Sequence, residues 1–97
     1  MNQIKIEKPS QEEQKRLGLP SRLQSTAQWS VWECPPSTFP WQYSDKEICF
    51  IYEGRVKVKT AQQEVEIKKG DLVTFPKGLA CTWHVIEPIR KVYKFER

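Results

Sequence analysis

The chain has 97 residues, enough for one compact domain and too few for two, so any function has to fit a single small core. Hydrophobic residues make up 38% and aromatic residues 11%, which is a globular composition and excludes a disordered chain. The net charge of +4 comes from scattered lysines and arginines with no basic block, which argues against nucleic-acid binding.

The N-terminal part begins with a short strand and a short helix. Residues 4–6, Ile-Lys-Ile, predict the strand. Ser10 and Glu13 then match a capping box, in which each side chain satisfies a free amide at the helix start. Gly18 and Pro20 end the helix soon afterwards.

Strand-length segments separated by Pro, Gly or Asp follow from residue 29 onward. Alternating apolar and polar residues indicate strands with one buried face. Gly54, Gly70-Asp71 and Pro76–Gly78 are interpreted as turns, with turn roles for Glu53 and Asp71. The predicted strands are 29–34, 39–43, 47–52, 55–60, 64–68, 72–75, 80–85 and 90–96.

This spacing predicts an all-β antiparallel sandwich or barrel. Residues 1–28 are mostly polar and predict an N-terminal arm packed on that barrel, while residues 29–97 predict the barrel itself.

Two spaced motifs carry a family resemblance. The first places Glu47 four residues after Tyr43 and seven before Gly54; the second places Gly70 six residues before Pro76. Further matching positions are Trp29, Trp32, Glu33, Phe39, Pro40, Trp41, Tyr52, Asp71, Phe75, Gly78, Cys81, Trp83, Lys91 and Tyr93.

The chain resembles the cupin superfamily, and within it the small single-domain cupins of the ureidoglycine aminohydrolase cupin-domain family, which are similar to ethanolamine-utilisation cupins. The resemblance implies a double-stranded β-helix, the jelly-roll barrel, with a short N-terminal strand and helical turn. It also implies a homodimer, to which the strand at residues 4–6 would contribute by adding to a neighbour's open edge.

The metal site that this resemblance implies is altered here. Trp41, Tyr43 and Cys81 stand at the three histidine positions, and only Glu47 of the usual four ligands remains. Tryptophan offers no donor lone pair, so the three-His-one-Glu site does not form. A reduced zinc or iron site on Glu47 and Cys81, with Cys49 and Tyr43 nearby, stays open, although no pair has a dedicated ligand spacing.

Glu47 is the first candidate functional residue. Alternation points its side chain inward, and burying a lone carboxylate is costly unless it is paired or protonated. One reading makes it a general acid or base, or a metal ligand; the other makes it a structural partner of Tyr43, Lys91 or a backbone amide.

Cys81 is a candidate nucleophile or ligand, and Cys49 joins it if their strands face each other; both also suit apolar filling. His84, three residues beyond Cys81, points to the opposite face and is a poor partner for that thiol. Two positions are predicted for Lys91: inward near Glu47, or at the barrel mouth with its ammonium group in water.

Four aromatic residues predict either a pocket for a planar or apolar ligand or simple packing of the barrel interior: Trp41, Tyr43, Trp83 and Tyr93. The catalytic candidates are therefore Glu47, Tyr43, Cys81 and Lys91, and the pocket candidates are Trp41, Cys49, Trp83 and Tyr93.

The sequence favours a cupin whose pocket binds or acts on a small polar metabolite through Glu47. The alternative is a non-catalytic ligand-binding or structural homodimer. Three cysteines without C-x-x-C spacing, and the lack of a signal peptide or membrane-length apolar run, predict a reducing cytoplasm or organelle interior and no membrane partner.

Overall fold

The computed structural model describes residues 3–96. Two strands in it are long, and they lie antiparallel to each other along most of their length. The elements in chain order are β1 (Lys5–Glu7), α1 (Gln11–Arg16), β2 (Ser30–Cys34), β3 (Ser37–Gln42), β4 (Lys46–Lys59), β5 (Glu64–Lys68), β6 (Leu72–Phe75) and β7 (Ala80–Glu96).

The long strands β4 and β7 take part in two sets of strand pairs. The first half of β4 and the last half of β7 pair with each other, with β6 and then β1 beyond β4 and with β2 beyond β7. The second half of β4 pairs with β5, and the first half of β7 pairs with β3. All these pairs are antiparallel, and the prediction of an all-β jelly roll is confirmed.

The prediction that Gly54 forms a hairpin turn is wrong. The predicted strands 47–52 and 55–60 are parts of one strand, β4, which ends at Lys59, and the predicted strands 80–85 and 90–96 both belong to β7. Gly54 lies in a bulged part of β4 at φ +101°, where a Cβ would stand 2.1 Å from the carbonyl oxygen of Pro88. Glycine is required here because β7 approaches the backbone of β4 closely. The turn prediction failed because a glycine in a bulge adopts the same positive φ as a glycine in a turn.

The bulge changes which residues of β4 point into the core. Glu47, Cys49 and Ile51 are buried before it, whereas Val56 and Val58 are buried after it. The inward positions therefore change from odd to even numbers, because extra residues in a bulge shift the two-residue period of a strand.

Glu53 and Asp71 were both predicted to serve turns, and only Asp71 does. Its buried carboxylate accepts a hydrogen bond from the backbone N–H of Lys68 at 2.9 Å and is paired with Lys8 at 2.5 Å. Glu53 lies within β4 and is ion-paired with Arg90 at 3.4 Å. The Glu53 prediction failed because it depended on the hairpin.

The N-terminal segment packs against the outer face of the sheet that contains β6. The capping box is confirmed, since the Ser10 hydroxyl accepts from Glu13 N and the Glu13 carboxylate accepts from Ser10 N. Leu17, Leu19 and Leu23 then contact a cluster of four buried residues, Trp29, Phe50, Leu72 and Val92. Within residues 3–96, no helix has the length and apolarity needed to cross a membrane.

Strand β1 pairs with β6 of its own chain, with Ile6 opposite Val73. The predicted addition of this segment to a neighbouring molecule's open edge stays a prediction, and β1 is the end strand in the order β1-β6-β4-β7-β2. The predicted segments 1–28 and 29–97 also include Met1, Asn2 and Arg97, which lie outside the described residues.

Candidate functional site

A cavity of about 260 Å³ lies among the side chains of β2, β3, β4 and β7. Trp41 and Phe95 are 50% and 43% exposed and form its mouth, whereas Glu47 and Lys91 are each 4% exposed and form its floor. The lining consists of Trp32, Phe39, Trp41, Tyr43, Glu47, Trp83, Lys91, Tyr93 and Phe95. The site is thus an aromatic pocket with charged groups at its base.

The structure brings together six of the eight predicted site residues, and the other two, Cys49 and Cys81, do not line the cavity. The six are Trp41, Tyr43, Glu47, Trp83, Lys91 and Tyr93.

Sequence reasoning missed Trp32, Phe39 and Phe95 as lining residues. A signal existed for two of them. Phe39 is two residues before Trp41, and Phe95 is two residues after Tyr93, so strand alternation places each beside a predicted pocket residue. Trp32 enters through a long-range pairing, since it lies opposite Lys91 in the β2–β7 register.

Glu47 and Lys91 form an ion pair at the floor, with Lys91 Nζ donating to Glu47 Oε2 at 2.8 Å. Each side chain is 6% exposed. Among the structural partners that the sequence left open for Glu47, Lys91 is the one observed. The alternative position for Lys91, at the barrel mouth with its head in water, is excluded by this burial.

Three aromatic rings flank the Lys91 ammonium, and Lys91 also lines the cavity. Its nitrogen lies 4.8 Å from the ring centroid of Trp32, 4.7 Å from that of Trp83 and 5.8 Å from that of Tyr93. These distances fall within the range of cation–π attraction, which is worth about 2 kcal/mol or more for a desolvated cation. The rings and the carboxylate together offset the loss of water around the charge.

The charge state of Lys91 follows from opposing effects. Burial lowers the pKa of this ammonium, but the neighbouring Cys49 and Glu47 outweigh burial, and the net pKa is raised. The side chain therefore carries a proton at neutral pH, and its amine is not available as a nucleophile.

Tyr43 is held between two aromatic neighbours. Its ring stacks on Phe75 at 4.6 Å between centroids, and its hydroxyl accepts from Trp83 Nε1 at 3.2 Å. Burial, reinforced by the Glu47 charge, raises the pKa of Tyr43, so it remains a neutral phenol. Tyr43 is thus a rigid wall of the pocket with a polar tip.

The two candidate cysteines remain protonated. Burial raises the pKa of Cys49 from 9.0 to about 12, and burial also raises the pKa of Cys81. A thiolate is the reactive form of cysteine, so neither residue is set up as a nucleophile at neutral pH. His84 is exposed on the opposite face of β7 from Cys81, as alternation indicated.

The residues present do not fit the divalent metal that the cupin resemblance implies. Within residues 3–96, no three side chains of His, Cys, Asp or Glu converge into a possible metal site. Trp41 stands half exposed at the mouth, and Glu47 is already paired with the chain's own ammonium. Lys91 therefore supplies the positive charge next to this carboxylate.

Comparisons with known proteins agree with this fold. The family model for EutQ-like cupin domains matches residues 22–93. A crystal structure of a DUF861 family protein from Thermotoga maritima is 46% identical, with a TM-score of 0.85, and the match covers 97% of this chain and 100% of that one.

Two EutQ structures are more distant. Those of the Clostridium difficile EutQ protein and of a putative ethanolamine utilization protein from Salmonella typhimurium are each 25% identical and match 67% of this chain. Their TM-scores are 0.62 and 0.61, and the match covers 52% and 53% of those chains, so this chain spans about half their length. No curated protein matches the sequence.

Proposed function

The chain belongs to the family of EutQ-like cupin domains, and we propose that it binds a small metabolite in the aromatic pocket above Glu47 and Lys91. The ligand has a planar or apolar body that packs against the rings and at least one polar group that reaches the floor. Binding is the proposed activity, and the Glu47→Gln variant distinguishes it from catalysis by Glu47.

One observation carries this proposal: a buried ion pair forms the floor of an otherwise aromatic cavity. A buried pair rarely stabilises a protein more than well-packed apolar residues of similar volume, because desolvation offsets the attraction. Convergent polar groups within an apolar pocket are, in contrast, the usual arrangement of a ligand site. The pair is therefore better explained by recognition than by stability alone.

The volume of the pocket limits the size of the ligand. A cavity of about 150 Å³ is sufficient to bind benzene, and typical drug-sized sites begin at about 300 Å³. The observed value of about 260 Å³ thus suits one ring with substituents or a small bicyclic molecule.

The raised pKa of Lys91 favours binding over covalent chemistry, because a protonated amine does not attack a carbonyl group. Ethanolamine utilisation is named for one EutQ relative, and the pocket of this chain does not favour ethanolamine as a ligand. Ethanolamine is a cation without a planar body, and it would meet the Lys91 ammonium at the floor.

We further propose that the protein occupies a reducing compartment, the cytoplasm or an organelle interior, and that it is a homodimer. Free thiols at Cys34, Cys49 and Cys81 support the first. Light scattering tests the second, since a mass of 11.5 kDa would identify a monomer and count against pairing.

A thermal-shift screen of a metabolite library, followed by calorimetry, tests the binding function. We expect a ligand that raises the melting temperature of the wild type and no longer binds to Lys91→Met. Lys94→Met is the matched control, because Lys94 lies on the same strand but contacts the ring of Trp29, outside the pocket.

The same variants distinguish the alternatives. If Glu47→Gln binds the ligand but abolishes its turnover, the pocket is an active site. If no compound in the library stabilises the wild type, the binding proposal is refuted in favour of a structural protein.

A further inference from the structure

The polar atoms at the floor are only partly used by the protein. Glu47 Oε2 is the only oxygen or nitrogen within residues 3–96 that accepts a hydrogen bond from Lys91 Nζ. An ammonium group has three N–H donors, so two have no oxygen or nitrogen acceptor among these residues. The rings of Trp32 and Trp83 lie near the ammonium, and Lys91 lines the cavity.

The second carboxylate oxygen, Glu47 Oε1, accepts no hydrogen bond from the described residues. In that part of the chain, no fully enclosed side-chain nitrogen or oxygen lacks a hydrogen-bond partner. Because Oε1 has no such partner, this atom is not fully enclosed. It faces the cavity that Glu47 lines. The floor thus offers an unused acceptor beside unused donors.

From this arrangement we infer that the ligand presents an amide-type edge to the floor, with a carbonyl oxygen that accepts from Lys91 and an adjacent N–H that donates to Glu47 Oε1. This inference rests on the proposed binding function and names the chemical class of its ligand. A carboxamide, or the lactam edge of a heterocycle, has the required donor and acceptor on neighbouring positions of one plane.

The charge of the floor favours such a neutral group. The ion pair has no net charge, so a ligand carboxylate would gain from Lys91 but would meet the Glu47 carboxylate. A ligand ammonium would be attracted by the Glu47 carboxylate but repelled by the Lys91 ammonium. A neutral donor–acceptor edge satisfies both Glu47 Oε1 and a remaining N–H of Lys91. An apolar ligand leaves these polar atoms unused while it displaces water from them, which costs about 1–3 kcal/mol for each buried group.

Four probes of similar shape test this inference by calorimetry: benzamide, benzoate, benzylamine and toluene. We expect the wild type to bind benzamide about tenfold or more tightly than each of the other three, since one unsatisfied buried polar group corresponds to about that factor.

Variants that change the floor charge provide a second readout. Glu47→Gln leaves Lys91 without its counter-ion, so we expect the preference to move from benzamide towards benzoate by about tenfold. Lys94→Met should keep the wild-type order of affinities, because Lys94 lies outside the pocket.

The outcomes separate this inference from the binding function. If benzoate, benzylamine or toluene binds the wild type as tightly as benzamide, the amide-type edge is refuted while the pocket remains a ligand site. Failure of benzamide to bind at millimolar concentrations also refutes the amide-type edge, and the metabolite screen then decides whether the pocket binds any small molecule. Because the probe comparison uses the wild type, it does not depend on the folding of a variant.

Discussion

Replacing Lys91 with methionine is the most informative test of the floor. The change retains much of the side-chain volume but leaves the Glu47 carboxylate buried and without its 2.8 Å partner. Removing one partner of a buried ion pair costs about 3–5 kcal/mol, because the remaining charge is desolvated and uncompensated. Both side chains are 6% exposed, so solvent screening reduces this figure little.

The expected loss is a large part of the stability of a small domain, which is about 5–15 kcal/mol in total. For a chain of this size, 1 kcal/mol shifts the melting temperature by about 4–8 °C, so Lys91→Met should melt at least about 12 °C lower than the wild type. Urea denaturation at pH 7 measures the free energy of unfolding directly.

The double variant Glu47→Leu/Lys91→Met isolates the uncompensated charge. With both charges removed, we expect the free energy of unfolding to return to within about 1 kcal/mol of the wild type or to exceed it by up to about 4 kcal/mol. This variant should be folded yet fail to bind the metabolite, which separates recognition from stability.

Lys46→Met provides the matched control on the same pair of strands. Lys46 and Glu96 form an ion pair at 3.4 Å, but their side chains are 47% and 46% exposed. Exposed pairs contribute about 0–1 kcal/mol, so this variant should lose little stability. A cost below about 1 kcal/mol for Lys91→Met, or a double variant as unstable as the summed single changes, would refute the reasoning about the floor.

Three further predictions concern the backbone and the thiols. Gly54→Ala should destabilise the protein more than Gly70→Ala. Both glycines have positive φ, but of the two added methyl groups only that at residue 54 would clash, 2.1 Å from Pro88 O. Equal losses of unfolding free energy in urea denaturation would argue against a steric cause. Native protein at pH 8 should react with a thiol reagent at Cys34 but not at the fully buried Cys49, and mass spectrometry of labelled peptides would reveal the opposite order. Because the pKa of Cys49 is raised from 9.0 to about 12, the folded state holds a proton that the unfolded state releases between these values. The free energy of unfolding should therefore fall by up to about 1.4 kcal/mol per pH unit across that range through this group, and Cys49→Ala should have a shallower dependence; an unchanged slope would contradict the assignment.

Local sequence signals predicted much of the fold and part of the site. The capping box at Ser10 and Glu13 formed as expected, because both partners lie within one helical turn. The alternation around Glu47 and Cys49 gave the correct inward face, since period two is a local property of strands. The same rule placed Trp83 and Tyr93 beside the pocket.

Other features depended on contacts between residues distant in sequence. Gly54 has the local signature of a turn, and the approach of Pro88 is what makes it a bulge within β4. The sequence likewise allowed several partners for Glu47, and Lys91 is 44 residues away.

The order of apolar, polar and glycine residues along the chain was sufficient to predict an all-β antiparallel sandwich or barrel, because strand periodicity is a property of residue type and spacing. The resemblance to the cupins then implied the jelly-roll barrel and identified the replaced histidine positions. Only the tertiary structure decided that Lys91 pairs with Glu47 and that Trp32 and Trp83 flank its ammonium. Burial and the register of β2 and β4 against β7 set those distances, and neither is encoded within a single strand.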